Sequence, residues 1–221
     1  MILAMAWLFW RIKYTGIANI PLEGPVIIAS NHISHLDPPL IGVGVKRPVT
    51  FIAKMELFKV PFIGWWLRQL GQISVTRGGG GKAALETAIE ALKDGRVIII
   101  FPEGTRSPTG RMQRGRSGVA VLALKTGAPV VPASIEGSFE AFGKGKFVPR
   151  PGRVKVVYGK PLTFKDKFTD GDVISRKALD DITTVIMEEI IKLLPEKQRP
   201  EATVNAETTL TETELKKSNG G

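Results

Sequence analysis

Six short runs of β-branched and apolar residues, at 26–29, 50–53, 72–75, 97–101, 130–135 and 154–158, alternate with stretches patterned for helix. Strands interleaved with helices restrict the chain to an α/β fold: a single domain with a largely buried mixed sheet flanked by helices. Between the runs, Leu85, Ala88, Ile89 and Leu92 recur at helical spacing, with Gly95 as the stop. Residues 118–125 form a second, small apolar helix ended by Gly127 and Pro129. A last long helix is expected to begin at Asp172, where Ile174, Leu179, Ile182, Val185, Ile186, Ile190 and Leu194 make an apolar stripe suited to packing on the sheet. At 221 residues, with 43% hydrophobic and 24% charged residues, the chain suits one domain with a real core.

The two ends differ from the middle. Residues 1–10 are wholly apolar, include two tryptophans, and stop at Arg11 and Lys13. The run is too short for a transmembrane helix, which needs roughly 18 apolar residues. It also lacks the leading positive charge and small-residue cleavage site of a signal peptide. Residues 1–13 are therefore expected to be an interfacial, membrane-contacting segment. After Pro195 the pattern collapses into Thr and Glu, so 14–195 is the expected domain and 196–221 an expected disordered tail.

Composition removes several kinds of chemistry. There is no cysteine, hence no disulfide, thiolate metal site or thiol nucleophile. His32 and His35 are the only histidines, so no histidine-rich metal site is expected. The net charge of +10 is concentrated: 13 Lys or Arg stand against 3 acids between positions 106 and 167. Such a stretch favours phosphate-bearing partners, whether nucleic acid, anionic head groups or small phosphorylated molecules.

The chemistry-bearing residues sit where strands end. Asn31-His32-Ile33-Ser34-His35-Leu36-Asp37 follows the strand PVIIAS directly. Strand ends are where an α/β sheet presents reactive groups to a crevice. If a helix starts near Leu36, a turn brings the Asp37 carboxylate back to the His32 imidazole, fixing its tautomer and stabilising the imidazolium formed when it takes a proton. His35, two residues from Asp37, competes for that role. The second segment, Phe101-Pro102-Glu103-Gly104-Thr105-Arg106-Ser107, follows the strand RVIIIF. Gly104 permits close backbone approach, Thr105 and Ser107 offer hydroxyls, and Arg106 suits forked hydrogen bonding to phosphate. Two other patterns lead nowhere. Gly78 to Lys82 looks like a phosphate-binding loop, but Ala83 replaces the required Ser or Thr; Gly115-Arg116-Ser117-Gly118 does not match a nucleophile elbow.

The two segments together, Asn-His-x-x-x-x-Asp and then Phe-Pro-Glu-Gly-Thr-Arg-Ser, resemble the glycerolipid acyltransferase family, whose bacterial members include lysophosphatidic acid acyltransferase. The resemblance runs from about Arg11 to Lys165 and takes in Lys54-Met55-Glu56-Leu57, Val75-Thr76-Arg77 and Val131-Pro132. It implies that His32 and Asp37 are the catalytic pair. It also implies that Lys54, Arg77 and Arg106 contact an acceptor phosphate, with Glu103, Gly104 and Thr105 shaping the acceptor pocket. The activity so implied moves a fatty acyl group from acyl-CoA or acyl-carrier protein to the free hydroxyl of 1-acyl-glycerol 3-phosphate, with neither cofactor nor metal. Glycerol 3-phosphate or another lysophospholipid is the alternative acceptor. A lipid hydrolase, or a non-enzymatic protein using its basic stretch on nucleic acid, are readings of other classes. The expected location is the cytoplasmic face of the cell membrane, bound peripherally to anionic lipid. Backbone N–H groups at the helix start after the histidine turn are the expected oxyanion donors.

Overall fold

Covering a strand on both faces requires consecutive apolar residues, and the central strands have them. In the computed structural model, which describes residues 9–54, 73–75, 81–146, 148–167 and 174–201, β2 (Val26–Ser30) is buried at every position. Its alternate residues serve two cores. Ile27 and Ala29 pack with α2 (Gly81–Lys93), α3 (Gly118–Thr126) and α5 (Arg176–Leu193). Val26 and Ile28 face the opposite layer with Ile33, Leu40 and Ile41, the last two on α1 (Asp37–Val43).

The sheet has seven strands in the order β1-β7-β6-β2-β5-β3-β4. The remaining strands are β1 (Lys13–Thr15), β3 (Val49–Lys54), β4 (Ile73–Val75), β5 (Val97–Ile100), β6 (Val130–Glu136) and β7 (Lys155–Tyr158). β2 pairs in parallel with β5 and β6, and β5 with β3. β6 and β7 pair antiparallel, which makes the sheet mixed. Because β2, β5 and β3 are parallel neighbours, the chain leaves all three at one edge. That edge carries His32 after β2, Lys54 at the end of β3 and Glu103 after β5.

Four details depart from the sequence expectation. β1 pairs in parallel with β7; its residues Lys13, Tyr14 and Thr15 are too few and too polar to announce a strand. Ile12 is buried, Trp10 packs against the second core, and the Trp10 indole N–H donates to the Arg150 carbonyl at 2.9 Å. Residues 10–13 thus belong to the domain, and the boundary placed at 13 moves toward the N-terminus; residues 1–8 lie outside the described residues. The last helix starts at Arg176, capped by Ser175 Oγ accepting from the Ala178 N–H, with Ile174 ahead of it rather than inside it. Finally, the first residues of the expected tail are ordered. Glu196–Gln198 form a 3-10 turn, Gln198 is buried, and its carbonyl accepts from the Met112 N–H at 2.8 Å. Residues 202–221 lie outside the described residues.

Candidate active site

The turn 31–37 is fixed by its own side chains. Asn31 extends the β2–β6 pairing past the end of β2: its Nδ2 donates to the Ile135 carbonyl at 3.0 Å and its Oδ1 accepts from the Ile135 N–H at 2.8 Å. Asp37 then closes the loop as the first residue of α1, with Pro38 behind it in the first turn, where no N–H is needed. Its Oδ2 accepts from the backbone N–H groups of Ile33 and Ser34, both at 2.7 Å, and lies 2.9 Å from His32 Nδ1. The five-residue spacing works because the carboxylate folds back over the turn.

Asp37 is fully buried, whereas the His32 side chain keeps 17% of its surface exposed. With Nδ1 set against this carboxylate, the ring is oriented so that Nε2 is the nitrogen left to act as a base. The ring stacks on Phe101, with centroids 4.0 Å apart and planes 19° apart. His35 is placed elsewhere: its ring lies against Phe142 at 5.4 Å between centroids. Of the two histidines, His32 holds the carboxylate.

The loop after β5 grips the histidine turn from the other side. Glu103 Oε1 accepts from the His32 N–H at 2.7 Å, and the Ser107 N–H donates to the His32 carbonyl at 2.7 Å. Glu103 Oε2 accepts from the Gln113 N–H at 2.9 Å. Only 2% exposed, Glu103 has its pKa pushed up to about 7, chiefly by burial and slightly by Asp37, against the lowering effect of the N–H donors. Its carboxylate thus holds the histidine backbone, where the resemblance gave it a part in the acceptor pocket. Gly104 takes a left-handed φ of +70°, and a Cβ there would sit 3.1 Å from the Arg116 side chain, so glycine lets Arg116 cross the loop. Thr105 is exposed and gives its carbonyl to Gln113 Nε2 at 3.5 Å.

Arg106 differs from its neighbours. Its Nη1 is buried and, among the described residues, has no hydrogen-bond partner. Burial lowers the guanidinium below its ordinary value, and the Asp37 carboxylate acts in the opposite direction. A buried, unpaired guanidinium nitrogen is costly unless an anion meets it. Lys54 stands at the same sheet edge by its backbone, paired in register with Val75; Arg77 lies outside the described residues. The structure therefore brings together His32, Asp37, Glu103, Gly104, Thr105 and Arg106. Around the helix start where oxyanion donors are expected, the Ile33 and Ser34 N–H groups serve Asp37, the Leu36 N–H meets Ser34 Oγ, Pro38 and Pro39 have none, and the Leu40 N–H donates to the Leu36 carbonyl. Among the described residues, no cluster of three or more His, Asp or Glu could hold a metal ion.

Sequence reasoning missed Phe101, Gln113 and Ser138. Phe101 opens the second motif and Gln113 lies between Arg111 and Arg114, but nothing in either position announces its contact. Ser138 follows Gly137 on α4 (Ser138–Phe142) and reaches Asp37 from 101 residues away.

The site thus joins a histidine–carboxylate pair at the parallel-strand edge to an arginine nitrogen that has no partner among the described residues. Residues 11–136 match the Acyltransferase family, and the chain belongs to it. It is 32% identical over 186 residues to a 1-acyl-sn-glycerol-3-phosphate acyltransferase of Borreliella burgdorferi, covering 83% of this chain and 72% of that protein. Against LPAT1 of Arabidopsis thaliana, a chloroplastic 1-acyl-sn-glycerol-3-phosphate acyltransferase, identity is 33% over 70% of this chain, spanning 44% of the plant protein's length. Among solved structures, the 1-acyl-sn-glycerophosphate acyltransferase PlsC of Thermotoga maritima matches with a TM-score of 0.70 and 34% identity, covering 87% of this chain and 76% of that one.

Proposed function

We propose that the chain transfers a fatty acyl group from a thioester to the free hydroxyl of 1-acyl-glycerol 3-phosphate, giving phosphatidic acid. One observation carries this reading: the buried Arg106 Nη1, unpartnered among the described residues, on the loop whose next residue, Ser107, is bonded to the His32 backbone. An acceptor bearing phosphate satisfies Arg106 and sets its hydroxyl beside the base. His32 Nε2 takes the hydroxyl proton as the oxygen attacks the thioester carbonyl. Asp37 stabilises the imidazolium, and collapse of the tetrahedral intermediate breaks the carbon–sulfur bond. The imidazolium then returns the proton to the leaving thiolate, so His32 ends as it began. The donor is acyl-CoA or acyl-carrier protein, and the reaction uses neither metal nor cofactor.

Among the described residues no helix is long and apolar enough to cross a membrane. The reading places the enzyme on a bilayer surface, at the cytoplasmic face. Support comes from the place where residues 1–8 enter the domain. Phe9 is exposed and its carbonyl accepts from the Gly152 N–H, within a segment that carries Arg150, Arg153 and the exposed Val148. The test is a panel of donors and acceptors with purified protein on anionic vesicles. Phosphatidic acid as the product, formed from thioester and lysophosphatidate alone and unaffected by nuclease, is the expected result. Release of free fatty acid in its place would make the protein a hydrolase and overturn the reading.

A further inference from the structure

We propose that Ser138 is a positioning residue of the base, acting on His32 through Asp37. The two oxygens of Asp37 are served unequally. Oδ2 takes His32 Nδ1 and the N–H groups of Ile33 and Ser34, all from its own turn. Oδ1 takes the Ser138 hydroxyl at 2.6 Å. Ser138 is fully buried, as is Asp37, so water does not substitute for the hydroxyl. It is also the contact that ties the Asp37 carboxylate to a separate element of the fold.

That element is built to hold still. Gly137, at a φ of +82°, turns the chain from β6 into α4, and a Cβ there would lie 1.9 Å from the Arg153 carbonyl oxygen, so no other residue fits. The Ser34 hydroxyl donates to the Phe142 carbonyl at 2.7 Å, and Lys146 Nζ donates to the carbonyls of Phe139 and Glu140. With Asn31 locked to Ile135, the segment from β6 through α4 clamps both ends of the histidine turn. Within that clamp, Ser138 fixes the carboxylate plane. A carboxylate bonded through one oxygen can pivot about its Cβ–Cγ bond, and the Nδ1 proton of His32 is then shared between two acceptors. Bonded through both, it presents Oδ2 to His32 in one orientation, and the hydroxyl moderates the negative charge that Asp37 offers the ring. The charged groups that face Asp37 from elsewhere are Glu103 and Arg106, both on the loop after β5. Ser138 approaches from the side of β6.

The inference rests on the reading of His32 and Asp37 as the base pair. Ser138→Ala should lower kcat roughly tenfold, the scale of an outer partner to a functional histidine, with the KM values for donor and acceptor unchanged. Ser138→Thr keeps the hydroxyl and should recover most of the loss. With only two histidines in the chain, the His32 Nδ1 proton can be followed by ring-¹⁵N-labelled NMR. Its downfield resonance should move or broaden in Ser138→Ala and return in Ser138→Thr. In an Asp37→Asn background, Ser138→Ala should cost little more, since the route to the histidine is already cut. An unchanged kcat in Ser138→Ala would overturn the proposal. So would a lower melting temperature with the Nδ1 signal unmoved, or an undiminished loss in the Asp37→Asn background. Full activity in His32→Ala would instead remove the base assignment itself.

Discussion

Asp37 and Arg106 are charged groups held beside the same histidine turn, one in each half of the site, and the fold treats them in opposite ways. Asp37 is completely buried and receives a donor on each oxygen, five residues on from the base it serves. Arg106 is only partly buried, yet its Nη1 is shut from water and has no partner among the described residues. A buried polar group without a partner is rare in native proteins. The difference separates two tasks. The base is assembled in the absence of substrate, which is what preorganised proton transfer requires. On the proposed reading, the acceptor side is the one that an anion completes. Changes on the Asp37 side should therefore act on turnover, and changes at Arg106 on acceptor binding.

The largest expected effect is on the assembled side. His32→Ala should lower kcat on the order of 10²–10⁴-fold with little change in melting temperature. Asp37→Asn should be severely impaired too, because an amide cannot balance an imidazolium. His35→Ala, whose ring rests on Phe142, should keep most of the activity. Parallel assays of the three variants decide this, and a His32→Ala enzyme with wild-type turnover would break the comparison outright.

On the unsatisfied side, Arg106→Ala should raise the KM for lysophosphatidate roughly 10–100-fold, the scale of a lost charge-assisted hydrogen bond, and leave the KM for the donor nearly alone. Arg106→Lys should rescue only part of this, since an ammonium lacks the guanidinium fork. Equal loss toward both substrates would remove the acceptor assignment.

Glu103 lies between these extremes: it is paired on both oxygens yet held near the point of titration. Glu103→Gln should reduce kcat about tenfold or less, because an amide can accept from the His32 N–H or the Gln113 N–H but presents NH₂ to the other. It should also alter the pH dependence of stability. The folded pKa of about 7 exceeds the ordinary 4.5, so the folded protein keeps its proton across a range where the unfolded chain has lost it. That contribution is fully present below pH 4.5 and is lost as pH rises through about 7. The melting temperature of the wild type relative to Glu103→Gln should therefore fall between those limits and level off above them. A constant difference across the range would show that the carboxyl is not raised.

Legibility in the sequence followed how local each cause was. Six of the seven strands, β2 to β7, were visible because apolar runs are local, and so were the helices with a full stripe. The His32–Asp37 pairing was legible because the turn that makes it spans five residues. β1 was not, since Lys13, Tyr14 and Thr15 become a strand only by pairing with β7 more than a hundred residues away. The same distance hid Ser138 and the Asn31–Ile135 lock: each has a local sequence too plain to announce a partner across the sheet. Glu103 was singled out by its motif, but its contacts with the His32 and Gln113 N–H groups were not, because a motif fixes which residue matters without saying which atom it touches. The start of α5 was misplaced by reading the apolar stripe from Ile174, although Ser175 is a plain N-cap residue.

The smallest expected effects lie at the rim, where neither side of the site is touched. Trp10 is anchored by its indole N–H and its carbonyl, so removing it would disturb the fold, and the informative deletion is residues 1–8. That deletion should weaken binding to anionic vesicles and activity on bilayer-borne lysophosphatidate several-fold, while sparing a short-chain soluble acceptor. Val148, 71% exposed, stands two residues before Arg150 and five before Arg153, and an apolar side chain among basic ones suits the boundary of an anionic bilayer. Val148→Asp should reduce vesicle binding without changing kcat on the soluble acceptor. Replacing Arg150 or Arg153 by Ala should weaken binding by roughly fivefold each at low salt, the equivalent of about 1 kcal/mol per basic residue, and the differences should vanish at high ionic strength as screening takes over. Vesicle sedimentation across a salt series measures all four proteins together. If binding is lost on deleting 1–8 yet unmoved by the three substitutions, the bilayer meets the first residues alone and the 148–153 segment faces away from it. If the whole chain stays in solution with anionic vesicles at low salt, the membrane-surface reading fails, while the His32, Asp37 and Arg106 assignments stand or fall on their own assays.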